Sequence, residues 1–151
     1  MLEKANKDLA EAFNLSKGRV EVAILDNIQV YVINGLPSLF LKDNILYPTL
    51  VLLYKMPELL KYFKYVVVDE GAVPHIINGA DVMVPGIIEY SNDIVEGDIV
   101  IVLDEKRRPL SVGVALMDSS DIGRLRKGKA VKNIHYFRDK LWDICISLIS
   151  S

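Results

Sequence analysis

The chain has 151 residues, 51% of them apolar and 25% charged, with a formal net charge of −2. That balance belongs to a folded protein of one ordinary domain or two small ones sharing an interface; it excludes a disordered chain and leaves no bulk positive charge to announce a nucleic-acid binder. A single cysteine, Cys145, rules out an internal disulfide and a cysteine-ligated zinc site.

In chain order, Leu2, Ala5, Leu9, Ala12 and Phe13 recur at helical spacing, which predicts a short amphipathic helix ending near Gly18. Its charges, Lys4, Lys7, Asp8 and Glu11, deny this end the apolar core of a signal peptide. No later apolar run has the length of a bilayer span, so the expected setting is cytoplasmic and reduced, without a membrane. Strands are expected over 19–25, 28–33 and 36–41. Asp26-Asn27 turns the first into the second, and Asn34-Gly35 is a strong hairpin dipeptide because both residues accept positive φ. Lys42-Asp43-Asn44 reads as a polar turn. Thr49 is placed to cap a helix through Leu50, Leu53 and Tyr54 that Pro57 terminates, and Pro57 is suited to open a further short turn. No Gly/Ser-rich linker follows, so the half ending at Lys64 is expected to pack against the half beginning at Tyr65.

The second half opens with its most informative stretch. Val66 to Val68 form a short β-branched run that reads as a buried strand. Gly71 breaks it. Ala72, Ile76 and Ile77 then share a helical face, with Pro74 fitting the first turn and Asp69 and Glu70 placed where negative charge suits a helix start. Asn78-Gly79 ends this helix of about two turns. Val82 to Val84 resume the strand, and Pro85-Gly86 turns it. Glycines at such ends let another backbone come close. Further on, strands are expected at 99–103, 110–117, 130–137 and 141–146, with a short helix at Ile122–Leu125 capped by Asp118-Ser119-Ser120-Asp121.

Chemistry is sparse. Neither His75 nor His135 stands near a nucleophile elbow, and Ser119-Ser120 suits helix capping. Asp69, Glu70, His75 and Asp81 lack any recognised metal-ligand spacing, and no Walker or dinucleotide loop is present. No enzyme activity, metal or cofactor is therefore expected. Charge is distributed more pointedly. Arg124, Arg126, Lys127, Lys129, Lys132 and Arg138 lie in a stretch free of acidic residues, and Lys106-Arg107-Arg108 makes a second basic loop. Such runs are usually solvated faces; this one equally suits contact with phosphates. His135, Tyr136 and Trp142 are either core aromatics or rings for base stacking.

Asp69-Glu70-Gly71-Ala72, Asn78-Gly79-Ala80-Asp81-Val82 and Val84-Pro85-Gly86-Ile87 resemble the signature of the PUA domain, a small β pseudo-barrel that binds RNA. The resemblance implies RNA contact along the corresponding helix and loop: Gly71, Ala72, His75, Asn78 and Gly79, then Ala80, Asp81, Met83, Pro85 and Gly86. The basic residues Lys106, Arg107, Arg108, Arg124, Arg126, Lys127, Lys129 and Lys132 complete the expected RNA-binding set. Val32-Ile33-Asn34-Gly35 and Leu46-Tyr47-Pro48-Thr49-Leu50 resemble the domain that precedes PUA in one family of translation factors. Asn133-Ile134-His135-Tyr136 and Leu141-Trp142 resemble that family's C-terminal end. The family includes the malignant T-cell-amplified protein, its yeast counterpart and the N-terminal part of ligatin; the short front end here resembles an archaeal member.

What this implies is an α+β protein, with a small α/β pre-PUA domain at 1–64 packed on a PUA pseudo-barrel with two short helices at 65–151. It also implies a non-enzymatic factor that binds small-subunit rRNA and tRNA on the small ribosomal subunit. Its action would fall in initiation, reinitiation or recycling, beside a partner carrying a SUI-type domain. A PUA accessory subunit for a tRNA- or rRNA-modifying enzyme is the alternative, and a protein-interaction module without RNA is a third.

Overall fold

The computed structural model describes residues 18–150; the helix expected over Leu2–Phe13 lies outside them. Four antiparallel strands come first: β1 (Val20–Leu25), β2 (Ile28–Ile33), β3 (Leu36–Lys42) and β4 (Ile45–Pro48), paired in chain order. Each hairpin turns through left-handed residues that tolerate it: Asp26 at φ 51°, Asn34 at 51° with Gly35 at 82°, and Asp43 at 50° with Asn44 at 63°. The sequence reading missed β4, because the turn at Lys42-Asp43-Asn44 does not end the sheet but folds Ile45–Pro48 back onto Leu39–Lys42. Pro48 is tolerated there because β4 is an edge strand.

Helix α1 (Leu50–Lys55) begins at Thr49 as expected. The Thr49 hydroxyl accepts from the Leu52 amide at 3.1 Å and donates to the Pro37 carbonyl at 2.8 Å, so one buried side chain both caps α1 and ties it to β3. Pro57 then starts a 3-10 turn, Pro57–Tyr62.

The second half is a six-stranded, nearly closed barrel. Its strands are β5 (Lys64–Val68), β6 (Val82–Met83), β7 (Ile87–Tyr90), β8 (Ile99–Leu103), β9 (Pro109–Ala115) and β10 (Lys129–Tyr136). They pair in the order β6-β10-β9-β8-β5-β7, with only β5 and β8 parallel. Two short helices, α2 (Val73–Ile76) and α3 (Ser119–Arg124), lie between strands, and α4 (Lys140–Ser150) ends the described chain.

Several expectations need correction. Helix α2 is a single turn, Val73–Ile76, rather than two: the Asn78 and Gly79 amides reach back only three residues, to the His75 and Ile76 carbonyls, so the chain tightens before Gly79. Strand β6 ends at Met83, and Val84–Gly86 forms a 3-10 turn around Pro85. Strand β7 was missed: its burial does not alternate, so it carries no period-2 signal. Helix α3 starts earlier than expected, and the Asp118 side chain does not cap it but accepts from the Glu96 amide at 2.8 Å. The strand expected over 141–146 is the helix α4. Its β-branched Ile144 and Ile146 suggested a strand, but Leu141, Cys145 and Leu148 fall on one helical face and pack into the core, and tertiary packing overrides propensity.

Two apolar cores result. One lies inside the barrel, built on Val66, Val68, Ile76, Val82, Val100 and Val131. The other spans both halves, joining Val30, Phe40, Tyr47 and Leu50–Leu53 to Ile101, Val112, Leu141 and Cys145. Burial pushes the Cys145 thiol up to about 12, so it is a packing group and not a nucleophile.

His135 sits at the joint, fully buried, so of its two readings it is the core aromatic and not a base-stacking ring. Its Nε2 accepts from the Leu50 amide at the start of α1 at 3.1 Å. Its Nδ1 therefore carries the proton and faces the Asp139 carboxylate at 2.9 Å and 3.0 Å. Asp139 also accepts from the Tyr136 and Trp142 amides, at 2.9 Å and 2.8 Å, and so caps α4. Burial opposes ionisation of Asp139, but the His135 hydrogen bond and these amides outweigh it and hold the carboxyl below its usual range. No helix of the described residues is long and apolar enough to cross a membrane.

Candidate nucleic-acid interface

The segment between β5 and β7 folds into a loop that closes on itself. The Asp69 amide donates to the Gly86 carbonyl at 2.9 Å, so both ends of the segment meet. Asp69 Oδ1 accepts from the Ala72 amide at 2.9 Å and sets the turn into α2. Gly86 fits closely at this crossing, where a Cβ would lie 3.2 Å from the Ala72 methyl. Gly79 is required for two reasons: its φ is +97°, and a Cβ would lie 3.2 Å from the Tyr136 ring.

Strand β10 holds the other wall. The Asn133 amide donates to Asp81 Oδ1 at 2.9 Å, and its side-chain Nδ2 donates to the Ile76 and Ala80 carbonyls, both at 3.0 Å. Asn133 thus spans the end of α2 and the start of β6. The sequence reading singled it out only as part of a motif; a polar residue inside the barrel strand between buried Val131 and His135 was the available signal.

The enclosed cleft has a volume of about 740 Å³. Ala72, His75, Gly79, Ala80, Asp81, Met83, Pro85 and Gly86 line it, together with Asp69, Ile76 and Val82. Gly71 and Asn78 flank it without lining it. Lys129 is the one member of the basic set that reaches the cleft, 3.4 Å from Asp81 Oδ2. The floor is therefore apolar, and its charges are two carboxylates and one ammonium rather than a positive funnel. The start of α2 is no anion site: Asp69 already occupies its first amide.

The rest of the basic set forms two groups. Arg124, at the end of α3, pairs with Asp121 at 2.9 Å. Arg126 and Lys127 follow on the loop to β10 and are exposed, as are Lys129 and Lys132. The ladder between β10 and β6 shifts between Lys129 and Val131, so Ala130 and Val131 are both fully buried and the two lysines both face out. Lys106, Arg107 and Arg108 lie on the β8–β9 loop and do not line the cleft. Arg107 pairs with Glu89 at 2.6 Å and lies over the Tyr65 ring at 5.2 Å. Arg108 pairs with Asp104 at 2.7 Å. The Tyr65 hydroxyl and the Arg107 guanidinium hold the Glu89 carboxyl below its usual range. Burial works against ionisation of Asp104, but the Arg108 amide and guanidinium and the Lys106 amide prevail and lower it. Two of that loop's three cations are thus tied to carboxylates of the barrel itself.

A curved six-stranded barrel with this helix-and-glycine cleft defines the PUA class, and a PUA domain is matched over residues 64–137. A domain of unknown function, DUF1947, is matched over residues 3–56. An uncharacterized protein of Methanocaldococcus jannaschii is 45% identical over 129 residues, covering 84% of this chain and 77% of that one. Malignant T-cell-amplified sequence 1-B of Xenopus laevis is 34% identical, covering 78% of this chain and 66% of its own length. Translation machinery-associated protein 20 of Saccharomyces cerevisiae is 29% identical, covering 93% and 80%. Among solved structures, a hypothetical protein from Pyrococcus horikoshii OT3 superposes with a TM-score of 0.85 at 38% identity, covering 95% of this chain and 92% of that one. The archaeal box H/ACA Nop10–Cbf5 complex shares the fold alone, at 24% identity and a TM-score of 0.53 over 66% of this chain and 30% of that one. The chain belongs to the PUA-domain family with this N-terminal domain, which includes the malignant T-cell-amplified and translation machinery-associated proteins and their archaeal relatives.

Proposed function

We propose that this protein is a non-enzymatic RNA-binding factor that acts on the small ribosomal subunit and tRNA in initiation, reinitiation or recycling, beside a partner carrying a SUI-type domain. The observation that carries the reading is an open, glycine-framed cleft that Lys129 lines, on a stretch of chain where Arg126, Lys127 and Lys132 are also exposed. In this reading the cleft residues Gly71 to Gly86 take nucleotides, and the border contacts phosphates. The ion-paired loop at Lys106–Arg108 adds orientation more than free charge. The described parts of the two modules, 18–64 and 65–150, act as one unit, since the larger core runs through both. Relatives named for translation support the ribosomal setting.

The test is co-sedimentation of the protein with small ribosomal subunits and with tRNA across a salt series. Binding should fall as salt rises, because each phosphate contact releases counterions. The variant R126A/K127A/K129A should bind all RNAs more weakly and flatten the salt slope by roughly one unit for each phosphate left without its cation. Unchanged binding by that variant at every salt concentration would reduce the border to a solvated face. Co-purification with an RNA-modifying enzyme, and not with small subunits, would favour the accessory-subunit reading.

A further inference from the structure

A second surface, away from the cleft, has the composition of a single-strand binding platform. Tyr54 of α1, Phe137 after β10 and Trp142 of α4 meet there, with ring centroids 5.5 Å apart for Tyr54 and Trp142, 4.9 Å for Phe137 and Trp142, and 5.9 Å for Tyr54 and Phe137. Both halves of the chain contribute to it, so it exists only in the assembled fold. The cluster is held open. The Tyr54 hydroxyl donates to the Pro109 carbonyl at 2.6 Å, which fixes its ring with 39% of the residue exposed. Phe137 and Trp142 are half-buried.

One cation lies over these rings, and a second follows Tyr54 in the chain. The Arg138 guanidinium lies 5.3 Å from the Phe137 centroid, and Arg138 is held at φ +67°, a conformation uncommon outside glycine. Lys55 follows Tyr54 and is exposed. Among the described residues neither Arg138 nor Lys55 forms an ion pair. The nearby acids are engaged: Asp104 by Arg108 and two amides, Asp139 by His135 and two amides. Asp143 is exposed one residue beyond Trp142, as Lys55 is one residue beyond Tyr54, so Arg138 and Lys55 together leave the patch with a net positive charge.

We propose that this patch is a second RNA contact that takes single-stranded RNA, with bases stacking on Trp142 and Tyr54 and phosphates meeting Lys55 and Arg138. A half-buried aromatic cluster that Tyr54 opens to solvent, beside cations without ion pairs, suits a polyanion whose bases are unstacked, and such stacking is tolerant of sequence. The inference rests on the reading above that the protein meets RNA, and adds a site that reading does not use.

Trp142 is the only tryptophan of the chain, so its fluorescence reports this site alone. The full chain is titrated with a short oligouridylate and with an RNA duplex of equal length, at low and raised salt. The oligouridylate should quench Trp142 saturably and the duplex should not. The variant K55Q/R138Q, with the parent's thermal unfolding, should lose about tenfold in affinity. It should also lose about 1.4 in salt slope, at roughly 0.7 per phosphate contact on single strands. R126A/K127A/K129A should quench as the parent does. Absence of quenching, or quenching lost in the cleft-border variant and kept in K55Q/R138Q, overturns the proposal. Quenching that persists in a protein that binds neither small subunits nor tRNA removes the ribosomal reading and leaves this one standing.

Discussion

The cleft and the joint between the halves are built by opposite means. Around the cleft, backbone does much of the work: Gly79 and Gly86 admit close approaches and Asp69 closes a local turn, while Asn133 ties this segment to β10 by side-chain bonds. At the joint, side chains do the work: His135 bonds the amide of Leu50, 85 residues away, through an apolar core drawn from both halves. The cleft therefore keeps an open mouth on a closely fitted backbone, whereas the joint is buried throughout. A surface that receives a ligand and a seam that fixes two modules make different demands on the chain, and predictions that separate them follow from those demands.

The largest effect is expected at the joint. His135→Ala removes a fully buried ring, strands the Leu50 amide and leaves the Asp139 carboxylate without its partner. A loss of about 3–5 kcal/mol in unfolding free energy is expected from the cavity and the unmet donor together. Denaturant unfolding measures it. A change below about 1 kcal/mol would mean that the seam tolerates losing its hydrogen bonds, contrary to the cost expected for an unsatisfied buried group.

Next comes the cleft frame. Gly79→Val places a β-branched residue at φ +97° with its Cβ against the Tyr136 ring and should cost about 2–3 kcal/mol. Gly79→Ala should cost about 1–2 kcal/mol, from the left-handed backbone chiefly. Local hydrogen exchange in the segment 72–86 should rise more than exchange in β2 and β3. If both sheets loosen equally, the cleft is not an independent local frame.

These two regions also explain what could be read before the structure. Glycine, proline and Asx residues act within a few positions of themselves, so the strands expected at 19–25, 28–33, 66–68 and 99–103, the Thr49 cap and the positive φ of Gly79 were legible. Strand β4 and helix α4 were not, because their state is decided by distant partners: β4 by pairing on β3, α4 by docking Leu141 and Cys145 into the shared core. In the candidate site, the cleft lining was legible through its motif. The pairing of Arg107 with Glu89 and of Arg108 with Asp104 was not, since no sequence pattern states which cations a fold will neutralise.

A pH-dependent effect sharpens the account of the joint. The Asp139 carboxyl lies below its usual range when folded, so its charged form stabilises the fold at pH above the unfolded value, and that contribution is lost as pH falls through the folded one. Asp139→Asn should therefore lower stability at neutral pH, and the gap between variant and parent should close as the medium is acidified below about pH 4. Unfolding curves at pH 7, 5 and 3 test the sign. A gap that widens on acidification would contradict the assigned role.

The smallest effect on stability is expected at the cleft border. Arg126 and Lys127 are exposed on a loop, and Lys129 makes one long, open ion pair with Asp81, at 3.4 Å with 63% of the lysine side chain accessible. Exposed pairs of this kind contribute about 0–1 kcal/mol. The Asp81 carboxylate keeps its bond to the Asn133 amide when Lys129 is gone, so the wall of the cleft stays in place. R126A/K127A/K129A should consequently unfold within about 0.5 kcal/mol of the parent, while its RNA binding weakens and loses salt dependence. That combination, intact fold with diminished binding, is what a border selected for contact rather than for stability would give. A loss of more than about 1.5 kcal/mol in the triple variant would show these cations holding the barrel together, and its weakened binding would then report a damaged fold and not a missing contact.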